Sequence, residues 1–125
     1  MILHTTDTFR WYSFPLFDAL PGVVTFVTTR GGVVTDDSFS TDNLGEYTDD
    51  APERVAANRR RLHDALGFDC LAAPHQVHGV EVAAVSRDWQ DSPDGDRRQM
   101  LEGVDAVMTD RTGIAVAVST ADCVP

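Results

Sequence analysis

Cysteine is scarce. Cys70 and Cys123 are the only two in 125 residues, too few to staple a chain of this size, which excludes a disulfide-built scaffold. Long apolar runs are missing as well. The longest are broken by polar residues, so nothing reads as a bilayer-spanning helix. No basic-then-apolar leader opens the chain, because Met1-Ile2-Leu3-His4 runs straight into polar threonines and an aspartate. These absences together lead to the expectation of a cytoplasmic protein with both thiols reduced. A Cys70–Cys123 bridge is the alternative, and it requires an oxidising compartment that nothing in the sequence supports.

Positive charge is the third shortage. Ten basic residues stand against 20 acidic ones, for a formal net charge of -10. Such a field repels phosphate backbones and argues against nucleic acid or an anionic membrane as partner. A small anion is still compatible, since one or two arginines can dominate a local pocket. What the chain does have is 42% apolar and 24% charged residues, a globular composition. Its length is that of a single domain, residues 1–125, with one core.

The aromatic run Phe9-Arg10-Trp11-Tyr12-Ser13-Phe14-Pro15-Leu16-Phe17 reads as core packing or as a pocket cover. Val23-Val24-Thr25-Phe26-Val27-Thr28-Thr29 is rich in β-branched residues and is expected to be a strand, ending at Arg30-Gly31-Gly32. A Gly-Gly pair permits close approach of the main chain to a ligand, and Arg30 suits bidentate recognition of phosphate or carboxylate. An ordinary turn reads the same way. Thr35 to Asp50 is a long polar loop, and long loops in compact domains tend to be functional or disordered. Within it, Asn43-Leu44-Gly45 has the make-up of a binding loop.

The clearest helix is predicted from Pro52 to Leu66. Asp49 and Asp50 favour its N-terminal end, Pro52 its first turn and Gly67 a left-handed stop, with Val55, Leu62 and Leu66 as the buried stripe. Asn58, Arg59, Arg60 and Arg61 cover the other faces, as solvated surface or with one arginine reaching a site. Two extended segments, Leu71–Val77 and Val80–Val85, are expected to meet near His78-Gly79. Asp88 to Glu102, with Ser92-Pro93-Asp94-Gly95-Asp96 as turn chemistry, reads as a mobile polar excursion. Asp105–Thr109 and Ile114–Ser119 read as a β-hairpin that delivers Thr120-Ala121-Asp122-Cys123.

Pro74-His75-Gln76-Val77-His78-Gly79 carries two imidazoles three residues apart, and imidazole is the commonest metal ligand. On a strand they would point to opposite faces, so one of the two enters any single site, and His78, at the turn, is the better placed. A cysteine at the mouth of an apolar strand beside an aspartate, as with Asp122-Cys123, suits chemistry. A small buried hydrophobe is the alternative.

Four segments in order, Thr28-Thr29-Arg30-Gly31-Gly32, Asn43-Leu44-Gly45, His75-Gln76-Val77-His78-Gly79 and Thr120-Ala121-Asp122-Cys123-Val124-Pro125, closely resemble the YfiH or laccase-domain (DUF152) family. An Asn58-Arg59-Arg60 helix and Asp105-Ala106-Val107-Met108-Thr109-Asp110 fall between them as in that family. The resemblance implies an α/β fold, with a mixed, mainly antiparallel sheet and a packed helix. It also implies zinc-dependent purine nucleoside phosphorolysis and adenosine deamination, with purine nucleoside and phosphate as substrates. His78 and Cys123 become the zinc ligands by the same resemblance. The family's third ligand, in a His-Ala-Gly-Trp-Arg-Gly segment, is not in this chain, so the sequence is expected to be an N-terminal portion, inactive alone. Its exposed sheet edge is expected to be covered by the missing half or by self-association. Asp122 is the candidate for orienting a ligand or moving a proton, and Arg30, Asn43 and Arg59 are the candidate substrate-binding residues.

Three other readings compete. One keeps the fold and uses copper for phenol oxidation. Another takes Cys123 and His78 as nucleophile and base of a cysteine hydrolase. The last is a non-catalytic truncated domain.

Overall fold

Strand β1, Ile2–Thr5, pairs antiparallel with β2, Arg10–Ser13, around a tight connection in which Phe9 is buried. The structure, a computed structural model, describes residues 1–29, 39 and 42–120, and the chain divides into two compact units, Met1–Gly67 and Phe68–Pro125. In the first unit helix α1, Pro15–Asp18, follows β2 directly, and strand β3, Val27–Thr28, adds antiparallel to β2. The strand expected from Val23 is therefore cut to two residues. Because α1 ends β2 after Ser13, residues 23–26 have no ladder to join, and the Phe14 N–H is taken by Thr25 Oγ1 at 3.0 Å instead. The aromatic run divides likewise. Phe9 is core, His4 stacks on Trp11 at 5.1 Å between ring centroids, and Phe14 and Phe17 are exposed.

Helix α2 spans Pro52–Leu66 and closes on Gly67, which adopts φ 72 and donates its N–H to the His63 carbonyl, the left-handed stop that glycine accommodates without strain. Val55, Asn58 and Leu62 form its buried stripe, at the i, i+3, i+7 spacing of one helical face. Just ahead of the helix, Asp50 is buried. Its carboxylate accepts hydrogen bonds from the Ala51 N–H at 2.7 Å, from Arg54 Nε at 2.7 Å and from Asn43 Nδ2 at 2.9 Å. The Arg54 hydrogen bond, helped by those from Asn43 and Ala51, holds the Asp50 carboxyl below the usual carboxylate range.

The second unit contains β4, Cys70–Ala72, β5, Val82–Ala84, helices α3, Arg87–Asp91, and α4, Asp94–Met100, then β6, Ala106–Met108, and β7, Ile114–Val116. Two expectations are corrected here. Residues 105–119 are not a hairpin: β6 pairs parallel with β5 and β7 parallel with β4. The turn at Asp110–Gly113 exists, but a period-two apolar pattern does not choose its partner strand. Nor is 88–102 a polar excursion. A parallel pair needs a crossover, and α3 and α4 are that crossover between β5 and β6.

Two apolar residues hidden in this polar stretch make the crossover fold: Trp89 and Leu101 join Ala72, Val85 and Ile114 in the core, against which Cys70, Ala83 and Val107 pack. Trp89 Nε1 donates to the Arg97 carbonyl at 3.2 Å, and the Arg97 guanidinium lies over the indole, 5.6 Å from its centre. Arg97 also donates to the Sγ of Cys70, a free cysteine, at 3.0 Å. Gly113 closes the core side. Its carbonyl accepts the N–H groups of Asp69 and Cys70 at 2.7 and 3.1 Å, and at φ 82 any Cβ would lie 2.2 Å from Asp69 Oδ2.

Leu62 is fully buried whereas Leu16 is 83% exposed. Leu62→Ala should cost about 2–5 kcal/mol of unfolding free energy in urea titration, and Leu16→Ala about 0.5 kcal/mol or less. A carboxyl lowered in the folded chain stabilises above its unfolded value, near about pH 4, and that contribution is lost as pH falls through the lowered folded value. The urea midpoints of the unaltered chain and of Asp50→Asn should accordingly differ most above the unfolded value and converge as the pH is taken progressively below it.

Candidate functional site

The Gln-Val-His turn is fixed by three side chains. Asp105, just before β6, accepts the Val77 N–H on Oδ1 at 3.0 Å and the Gly79 N–H on Oδ2 at 2.8 Å. His75 Nδ1 meets Glu102 Oε1 at 2.5 Å, while the His75 N–H donates to the Leu101 carbonyl at 3.1 Å. Gln76 Oε1 accepts the Ser119 N–H at 2.7 Å, tying the turn to the chain leaving β7. The turn is glycine-dependent at one point, since a Cβ on Gly79 would sit 2.9 Å from Asp105 Oδ2.

His78 lies between the two N–H groups that Asp105 holds, and it is exposed. Its φ is 61, the one non-glycine residue with positive φ among those described. A side chain in the left-handed region costs about 1–2 kcal/mol. Two hydrogen bonds to a charged carboxylate, each contributing about 1.5–3 kcal/mol when well formed, are enough to offset it. Strain of this kind tends to mark functional positions. His75 and His78 are thus distinguished by the fold: the first is bonded to Glu102, the second is presented on the strained turn.

In the first unit the candidate loop is equally well tied. Asn43 Oδ1 accepts the Gly45 N–H at 3.0 Å, and Asn43 Nδ2 donates to Thr48 Oγ1 and to Asp50. Helix α2 holds the loop's main chain: Asn58 Nδ2 donates to the Asn43 carbonyl at 2.7 Å and Arg59 Nε to the Leu44 carbonyl at 2.9 Å. Arg59 Nη1 pairs with Glu46 at 2.8 Å, and Arg61 bridges Asp42, Asn58 Oδ1 and the Thr8 carbonyl. In this structure Asn43 and Arg59 therefore build the loop that contains Leu44 and Gly45.

Of the other candidates from sequence, Arg30, Asp122 and Cys123 lie outside the described residues. Among the described residues no group of three or more His, Cys, Asp or Glu side chains could hold a metal, and no helix is long and apolar enough to cross a membrane. Asp105, Gln76 and Asn58 acquire positions at the candidate loops that sequence reading does not give them. A short acidic side chain directly before a strand, able to bind turn N–H groups, was the available signal for Asp105. The other two stand in segments already singled out in the sequence, Gln76 beside His75 and Asn58 beside Arg59, but nothing there gives their partners.

Comparison with known proteins adds the family. The family described as multi-copper polyphenol oxidoreductase laccase matches residues 24–125. A protein named adenosine deaminase, from an unknown prokaryotic organism, is 38% identical over 86% of this chain and 42% of its own length. A purine nucleoside phosphorylase of Corynebacterium glutamicum is 38% identical over 78% of this chain and 38% of its own. A crystal structure of a Neisseria meningitidis protein of DUF152 superposes with a TM-score of 0.67 and 28% identity, covering 90% of this chain and 42% of that one. The chain thus spans about two-fifths of the length of these relatives. With a family match running from Val24 to Pro125 and the DUF152 fold in common, the chain belongs to the laccase-domain family.

Proposed function

We propose that this chain is part of a metal-dependent enzyme of purine nucleosides, cleaving them with phosphate and deaminating adenosine, with zinc held by His78 and Cys123. The observation that carries the reading is the bond from the Ser119 N–H to Gln76 Oε1 at 2.7 Å. It brings the exit of β7 to the turn that presents His78, and Cys123 follows four residues later, within a reach of about 14 Å at full extension. The names of the relatives, adenosine deaminase and purine nucleoside phosphorylase, supply the substrate class.

The donor chemistry fits the metal. Imidazole nitrogen and thiolate sulfur are the ligands zinc takes, and catalytic zinc sites take three protein ligands with one position left open. Two are proposed in this chain, so a third comes from elsewhere in the protein. Zinc when bound supplies a water acidic enough to be hydroxide near neutrality. Asp122, next to Cys123, takes the role of holding or moving a proton. Arg30 binds phosphate through its planar fork. Asn43 and Arg59 act on the substrate through the shape they give the Asn43–Gly45 loop. Copper-dependent phenol oxidation is the rival reading, favoured by the family's description, and metal content separates the two.

The test is a fusion of this chain to the remaining portion of the Corynebacterium glutamicum relative, compared with the chain alone. The fusion should carry about one zinc and turn over adenosine and inosine with phosphate. His78→Ala and Cys123→Ser should each lower turnover by 100-fold or more, a drop of about 2.7 kcal/mol in transition-state stabilisation. Copper at stoichiometric level with dioxygen-dependent phenol oxidation would replace this reading with its rival.

A further inference from the structure

We propose that Asp105 is the positioning residue for His78: its carboxylate holds the Gln-Val-His turn in the one backbone conformation that presents the imidazole to a metal. The inference rests on the metal-site reading above and adds to it a residue that touches neither metal nor substrate.

The geometry is specific. The two carboxylate oxygens take one N–H each from the residues flanking His78, at 3.0 and 2.8 Å. These two bonds bracket the single described non-glycine residue of positive φ. A carboxylate accepts on both oxygens and donates nothing, so it matches two N–H groups converging on one point. Gly79 is shaped to the same end, since any Cβ there would come within 2.9 Å of Asp105 Oδ2. The carboxylate is itself anchored: the N–H groups of Asp105 and Ala106 donate to the Glu81 carbonyl at 2.9 and 3.1 Å, and β6 pairs with β5 immediately beyond.

Rotating His78 out of the left-handed region would swing the imidazole away from its present direction, and Asp105 prevents that without bonding to the ring. Partners that orient a metal ligand typically change affinity 10- to 100-fold when removed. None of the other three bonds described at the turn does this work: the His75 N–H is held by the Leu101 carbonyl, again ahead of His78. Glu102 acts on His75 and Ser119 acts on Gln76, both on the N-terminal side of the strained residue, whereas Asp105 alone reaches past it to Gly79.

The experiment is a zinc titration of the fusion described above, which supplies the third ligand, and of its Asp105→Ala and Asp105→Asn variants, followed by NMR of the His78 imidazole and of the Val77 and Gly79 amides. The Trp89 indole N–H, bonded to the Arg97 carbonyl, reports in the same spectra that the second unit is folded. Asp105→Ala should weaken zinc binding at His78 by about 10-fold or more and speed hydrogen exchange at Val77 and Gly79. Asp105→Asn keeps one acceptor oxygen, so it should recover part of both effects. If Asp105→Ala binds zinc as tightly as the unaltered fusion with the Trp89 signal unchanged, the positioning role is wrong and the metal site stands. If the His78 imidazole of the unaltered fusion, with all three ligands available, never responds to zinc, the metal reading fails and takes this inference with it.

Discussion

The carboxylate of Asp105 ties together parts of the second unit that the β-ladders leave unconnected. Strands β5 and β6 are only three residues long each, and the Gln-Val-His turn lies outside both. Bonds from Asp105 to Val77 and Gly79 extend the contact between these two stretches of chain beyond the strands, so the turn is held as firmly as if it were laddered. The strained His78 is tolerated for the same reason. Its surroundings fix it from both sides.

The first unit solves a similar problem with arginine and asparagine. Loop 42–50 has no ladder; Asn58 and Arg59 on α2 donate to its Asn43 and Leu44 carbonyls, and Arg61 donates to the Asp42 carboxylate. These residues occupy different faces of the helix, so the loop is gripped across a broad arc. Guanidinium groups suit the task, since a planar fork can engage a carbonyl and a carboxylate together, as Arg59 does with Leu44 and Glu46. The charged run, which reads as solvated surface or as one arginine reaching a site, is in good part a scaffold for the adjoining loop.

The bounds of helix α2 were legible because their signals are local, proline at the first turn and glycine at the stop; its buried face was not fully so, since Asn58 rather than Leu66 joins Val55 and Leu62 there. The α/β class and the family were legible from four short motifs in order. Strand partners were not. Whether Ala106–Met108 pairs with Ile114–Val116 or with Val82–Ala84 depends on contacts between distant residues, and alternation along the chain is silent on that. The α3–α4 crossover was obscured by charge, its apolar anchors being only Trp89 and Leu101. At the candidate site, the turn at His78-Gly79 was legible, and in the structure His78 lies exposed on it at positive φ whereas His75 is bonded to Glu102. The work of Asp105 and Gln76 depends on distances to residues 26 and 43 positions away, which no motif encodes.

Gly113 shows how little freedom the β4–β7 pair has. At φ 82 a side chain on Gly113 would be strained and would push the Asp69 carboxylate aside, and with both the Asp69 and Cys70 N–H groups taken by its carbonyl, sliding the strand by one position would break both bonds. A slip of that size would exchange the buried Ile114 for Ala115 and carry Ser119 away from Gln76. The alignment of the far end of β7 with the histidine turn thus depends on the two hydrogen bonds that its near end accepts through Gly113.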